Sequence, residues 1–218
     1  MTRVEIKICG ITTMEDAAMA CSCGADALGF IFYEKSPRYV TPEAAFHIIE
    51  HLPPAISKVG VFLNHDINFV RDIYSFCGLD LIQLHGDESP DYCRGIPQAI
   101  LIKAVSPKSD SDLLLAENYA VKAFLVDARD SGRYGGTGKL SNWVMGKRLS
   151  ERHPVILSGG LNAENILTAL EKVSPDAVDV NSGVELSPGS KDPRKMRRLI
   201  EMVHAAEREK SETIFTRR

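Results

Sequence analysis

Apolar residues recur along this chain in two alternating rhythms. Short runs rich in Val, Ile, Leu and Phe fall at 4–9, 27–33, 58–63, 81–85, 100–105, 123–127, 154–158 and 177–182. Their length and their polar or turn-forming ends are those of buried strands. Between them lie helical patterns with readable starts. Thr13 precedes Met14-Glu15-Asp16 and an Ala-rich run, and Thr41 stands at an N-cap with Pro42 in the first helical position. Asn162-Ala163-Glu164-Asn165 opens 163–172, and Asp192-Pro193 opens a last helix over roughly 193–208.

Strict strand–helix alternation with short connections predicts a parallel sheet. Eight such units suit an α/β fold of the (βα)8 TIM-barrel type, built as a single catalytic domain over 1–206. An open doubly wound sheet would place a Gly-rich phosphate turn after its first strand. Cys9-Gly10-Ile11-Thr12 stands there instead. Residues 207–218 begin with a charged stretch and are expected to form a frayed C-terminal tail.

Side chains alternate along a strand, so parity separates the barrel interior from the helix-facing side. The apolar parity should meet the helices. That leaves Lys7, Cys9, Gln83, His85, Lys103, Asp127, Asp179 and Asn181 pointing inward. Burying so many polar groups costs several kcal/mol each, of order, unless they are paired. Lys7, Gln83, Lys103 and Asp179 read as an interior network. Cys9, His85, Asp127 and Asn181 occupy C-terminal strand ends, where barrel catalysis sits. Cys21, Cys23, Cys77 and Cys93 lie in helical runs and read as inert thiols.

Three late segments look built for an anion. They are Gly135-Gly136-Thr137-Gly138-Lys139, Ser158-Gly159-Gly160-Leu161 and Asn181-Ser182-Gly183-Val184-Glu185. Glycines let backbone N–H groups approach a phosphate, and barrels often hold one after strands seven and eight. After the second strand, Arg38 sits between Pro37 and Tyr39, able to grip a carboxylate with two parallel bonds. Spacing alone favours the plainer reading, a surface arginine in a long loop.

Charge narrows the partners. A net charge of −3 and a pI near 6.1 give no basic footprint for nucleic acid. No stretch reaches the ~18 apolar residues of a membrane span, and no signal core precedes the first strand. A cytoplasmic protein with a small-molecule substrate is expected. Five scattered cysteines make neither a disulfide framework nor a zinc knuckle.

Taken together, Lys7-Ile8-Cys9-Gly10-Ile11-Thr12, Gly29-Phe30-Ile31-Phe32-Tyr33, Ser36-Pro37-Arg38-Tyr39, Val59-Gly60-Val61-Phe62 and Gln83-Leu84-His85-Gly86 resemble the phosphoribosylanthranilate isomerase family of tryptophan biosynthesis. Asp127, the Gly-rich loops and Asp179-Val180-Asn181-Ser182-Gly183-Val184-Glu185 continue the match in family order, from about 4 to 200. The resemblance implies a barrel that needs no cofactor or metal and performs an Amadori rearrangement. It implies Cys9 as general base, Asp127 as general acid and Arg38 on the anthranilate carboxylate. It places the phosphate against Gly136, Gly138, Gly159, Gly160, Ser182 and Gly183. His85 is expected either to touch the ligand or to line the wall. The chemistry needs Asp127 protonated and Cys9 ionised at the outset, the reverse of what reference values favour. The charged field of Lys7 is expected to assist the thiolate.

Two alternatives stay open at this point. A histidine-pathway barrel isomerase would do the same rearrangement on an aminoimidazole ribonucleotide. Such barrels carry Asp where Cys9 stands and resemble two half-barrel repeats. A non-catalytic phosphate-binding barrel would keep the glycine loops and lose the acid–base pair. Monomer and homodimer are both compatible with the chain.

Overall fold

The computed structural model describes residues 3–127, 142–206 and 213–215. Eight parallel strands pair in chain order into a closed barrel. They are β1 Glu5–Cys9, β2 Ala27–Ile31, β3 Ser57–Phe62, β4 Leu81–Leu84, β5 Leu101–Val105, β6 Ala123–Val126, β7 Val155–Leu157 and β8 Ala177–Val180. Every expected strand is present. Closure comes from β8 returning to β1, with Lys7 opposite Asp179. Around them run α1 Met14–Cys23, α2 Pro42–Ile49, α3 Ile67–Cys77, α4 Pro90–Cys93, α5 Asp110–Ala116, α6 Trp143–Ser150, α7 Ile166–Val173 and α8 Pro193–Ala205.

The helix starts follow local chemistry. Thr13 Oγ1 accepts the Asp16 N–H at 3.2 Å, and Thr41 Oγ1 accepts that of Ala44 at 3.2 Å. Asp192 Oδ1 takes the N–H groups of Arg194 and Lys195 ahead of α8. The seventh helix begins at Ile166, later than the sequence suggests. Asn162 Oδ1 accepts from Glu164 and Asn165, so this stretch is spent on a side-chain-closed turn before the helix.

Strand register stacks the inward side chains in tiers. Ala27, Leu81, Ala123 and Ala177 fill the lowest. Lys7, Val59, Ile102 and Ile156 come next, followed by Gly29, Gln83, Leu125 and Asp179, then by Cys9, Val61, Ala104 and Ser158. His85, Asp127 and Asn181 stand at the rim. The outward parity, including Ile6, Ile8, Phe30, Phe124 and Val178, is buried under the helices.

Two expectations are corrected. Lys103 does not enter the barrel: Ile102 and Ala104 belong to the interior cluster, whereas its parity mate Leu101 packs with the helices. Its ammonium is instead buried under the loop after β4, donating to Glu88 Oε2 at 2.9 Å and to the carbonyls of Gly86 and Ala104. The fraying expected of the C-terminal segment does not hold for residues 213–215. Ile214 and Phe215 are buried beneath the lowest tier, and Glu5 Oε2 accepts both of their backbone N–H groups. Ser57 Oγ donates to the Phe215 carbonyl at 2.5 Å. Two large apolar side chains gain more from covering the open end of the barrel than they lose in chain freedom.

Candidate active site

Lys7 is the hub of the interior. It is fully buried, and its ammonium donates to Asp179 Oδ1 and Gln83 Oε1, both at 2.9 Å. Burial pulls its pKa down, but the charges of Asp179 and Cys9 outweigh that and leave it raised. The side chain climbs one tier past Gly29. A Cβ there would stand 2.7 Å from Cys9 Sγ and 3.0 Å from Lys7 Cε, so only glycine lets the two meet. Burial pushes the Cys9 thiol above its ordinary value, while Lys7 and Lys191 pull it back and Asp179 pushes it further. The field of Lys7 acts in the expected direction and is outweighed by desolvation.

Asp127 is buried at the end of β6, and its Oδ2 lies 3.0 Å from His85 Nε2. His85 Nδ1 is 2.9 Å from the Gln83 side-chain amide. Both ring nitrogens of His85 therefore have partners inside the barrel. Asp179 adds a longer bond from Ser158 Oγ at 3.4 Å.

Arg38 is drawn in from its loop and is buried. Its Nε and Nη2 bind Glu185 Oε1 and Oε2 at 2.8 and 2.7 Å, a bidentate fork. Glu185 opens the hairpin of β9 Glu185–Ser187 and β10 Ser190–Lys191. Lys191 sends its ammonium to Glu185 Oε1 at 3.0 Å, to Asn181 Oδ1 at 3.0 Å and to the Cys9 carbonyl at 2.5 Å. Burial opposes the Glu185 carboxylate, yet Arg38 and Lys191 hold its pKa below the ordinary value. Lys191 is held below its own ordinary value, because burial exceeds what Glu185 returns. Gly10, at φ +73°, fits where a Cβ would meet Asn181 Oδ1 at 2.8 Å and Arg38 Cδ at 2.9 Å.

The late glycines fall into one region. Gly159 and Gly160 have φ of +87° and +66°, a left-handed pair after β7. Ser182–Val184 forms a single 3-10 turn after β8. A Cβ on Gly183 would lie 1.9 Å from the Leu161 carbonyl oxygen, so the two loops pack backbone against backbone. Successive turns of this kind offer N–H groups to an anion. Gly136 and Gly138 lie outside the described residues. Among the described residues, no group of three or more His, Cys, Asp or Glu could hold a metal ion.

Sequence patterns brought Cys9, Asp127, His85, Arg38, Gly159, Gly160, Ser182 and Gly183 to one end of the barrel, and the structure places them there. They did not reveal Lys191 or the pairing role of Glu185. The available signal was a lysine shortly after the Gly183-Val184-Glu185 turn, which alone is common on any surface.

A closed barrel with its titratable groups gathered at the C-terminal strand ends defines the class: a (βα)8-barrel enzyme. The family model described as N-(5'phosphoribosyl)anthranilate (PRA) isomerase matches residues 6–202. The chain belongs to that family and is an isomerase. A relative named N-(5'-phosphoribosyl)anthranilate isomerase from Syntrophus aciditrophicus (strain SB) is 55% identical over 199 residues, covering 91% of this chain and 86% of its own length. The crystal structure of phosphoribosyl anthranilate isomerase from Thermotoga maritima superposes with a TM-score of 0.84 at 42% identity, covering 92% of this chain and 98% of that one. Another, determined in complex with reduced 1-(o-carboxyphenylamino)-1-deoxyribulose 5-phosphate, gives 0.79 at 40% identity, with 91% and 97% covered. This membership sets aside both the histidine-pathway barrel and the non-catalytic one. No helix among the described residues is long and apolar enough to cross a membrane.

Proposed function

We propose that this barrel converts N-(5'-phosphoribosyl)anthranilate to 1-(2-carboxyphenylamino)-1-deoxyribulose 5-phosphate in tryptophan biosynthesis, with Cys9 as base and Asp127 as acid. The observation that carries the roles is the placing of these two buried groups at the strand ends of one barrel mouth, each with its own polar support. Asp127 gives its proton to the furanose ring oxygen, and the ring opens to a Schiff base. The Cys9 thiolate then takes the C2 proton, leaving an enolamine that tautomerises to the ketone. Arg38 holds the anthranilate carboxylate with the guanidinium edge that Glu185 does not occupy. Gly159, Gly160, Ser182 and Gly183 hold the phosphate through backbone N–H groups, joined by Gly136 and Gly138 from outside the described residues. None of these steps calls on a cofactor or metal. The reading places the enzyme in the cytoplasm, where its five free thiols stay reduced.

The test is a fluorescence assay that follows consumption of phosphoribosylanthranilate. Cys9→Ala and Asp127→Asn should each lower kcat by at least ~10² while the folded state and substrate binding survive. Unchanged turnover with weaker binding would overturn the assigned roles. Arg38→Met should chiefly raise KM for the anthranilate-bearing substrate, and an unchanged KM removes it from the site.

A further inference from the structure

Three side chains link the middle of the barrel to Asp127. Lys7 Nζ stands 2.9 Å from Gln83 Oε1, the Gln83 amide nitrogen 2.9 Å from His85 Nδ1, and His85 Nε2 3.0 Å from Asp127 Oδ2. Each donor and acceptor in this chain can be assigned from its neighbour. An ammonium only donates. Gln83 must therefore present its carbonyl oxygen to Lys7, since a flipped amide would set NH2 against ammonium. Its nitrogen then faces His85. An amide nitrogen only donates as well, so His85 Nδ1 must accept. The neutral imidazole consequently carries its proton on Nε2 and donates it to Asp127.

We propose that the Lys7–Gln83 pair fixes the direction of a hydrogen-bond chain ending on Asp127, and so makes His85 a positioning residue for the acid. This rests on the reading of Asp127 as the acid. An acid that accepts an N–H at Oδ2 does so best through its carbonyl oxygen. The transferable proton then resides on Oδ1 and is not aimed at the imidazole. After transfer, the same N–H stabilises the carboxylate left behind. A chain running the other way would aim the Asp127 proton at the imidazole instead of the substrate. Ion pairing keeps the polarity in place: Asp179 Oδ1 holds the Lys7 ammonium from the opposite side at 2.9 Å. The Cys9 thiol also lies within the field of that ammonium.

The tautomer is read directly by long-range proton–nitrogen NMR on nitrogen-labelled histidine, at about pH 8, above the ordinary histidine range. His85→Gln identifies the resonance by its loss. The wild-type protein should show Nε2 protonated and Nδ1 bare. Gln83→Glu can accept from both neighbours, so it should place a proton on His85 Nδ1. It should also lower kcat by at least ~10-fold with KM for phosphoribosylanthranilate nearly unchanged. His85→Gln, whose amide N–H reaches the position of Nε2, should keep at least ~10-fold more turnover than His85→Leu. A protonated Nδ1 in the wild type overturns the proposal, as does a Gln83→Glu protein with wild-type tautomer and kcat. If Gln83→Glu fails to fold, the wild-type spectrum and the His85 pair still decide. Wild-type protein with no turnover of phosphoribosylanthranilate would sink the functional reading alone, because the tautomer is read on the resting protein.

Discussion

Two lysines and a carboxylate compete for the Cys9 thiol from inside the barrel, and burial acts on it more strongly than any of them. The thiolate limb of kcat/KM should therefore lie above the ordinary thiol value, with activity rising toward alkaline pH. Lys7→Met should move that limb higher still. Thiolate ultraviolet absorbance, taken as a difference against Cys9→Ala, checks it, and an unmoved thiol would show that the lysine field is idle. The sign for stability is fixed by the same shift. A thiol whose folded pKa is raised contributes stability below its unfolded value and loses it as pH rises toward the folded one. The places of Cys9 and Asp127 were legible because polar residue types are unusual at strand ends, whereas spacing alone left Arg38 on the surface and only the family resemblance drew it inward. Glu185 and Lys191 were not legible. The bond from Lys191 to the Cys9 carbonyl spans 182 residues, and no local period records a contact of that kind.

Among the elements, the strand set was read with little error because each run alternates or is uniformly apolar between turn residues. β5 misled for a physical reason. Leu101, Ile102, Ala104 and Val105 are all apolar, so parity there carries no contrast, and the rule that apolar positions meet the helices turned the one charged residue inward. Lys103 in fact braces the loop after β4. Glu88, which it neutralises, also takes the N–H groups of Asn64 and Gly86. Lys103→Met strands a carboxylate that is only 5% exposed. The expected loss is about 3–5 kcal/mol of unfolding free energy, seen as a lower urea midpoint. A midpoint equal to wild type would mean that water replaces the lysine.

Over the whole molecule, the two ends of the barrel divide the work. The C-terminal rim holds the titratable groups, and the opposite end is sealed by Ile214 and Phe215 under Ala27, Ala123 and Ala177. Small side chains in the lowest tier leave the volume that this plug fills. Phe215→Ala should cost about 3–5 kcal/mol in stability while kcat at low temperature stays at the wild-type value. A parallel fall in kcat would show that the seal is felt at the mouth. Barrel closure was legible from eight units, whereas the plug was hidden: two apolar residues beside a charged stretch make no periodic segment. The plug also sets a clock on synthesis. Glu5 is made 209 residues before its partner Ile214. At ribosomal rates of roughly 5–20 residues per second, that is a wait on the order of ten to forty seconds. Until that partner is made, the end of the barrel that Ile214 and Phe215 cover stays open. A chaperone that shields apolar surface would have its opportunity there, and the completed chain would withdraw it.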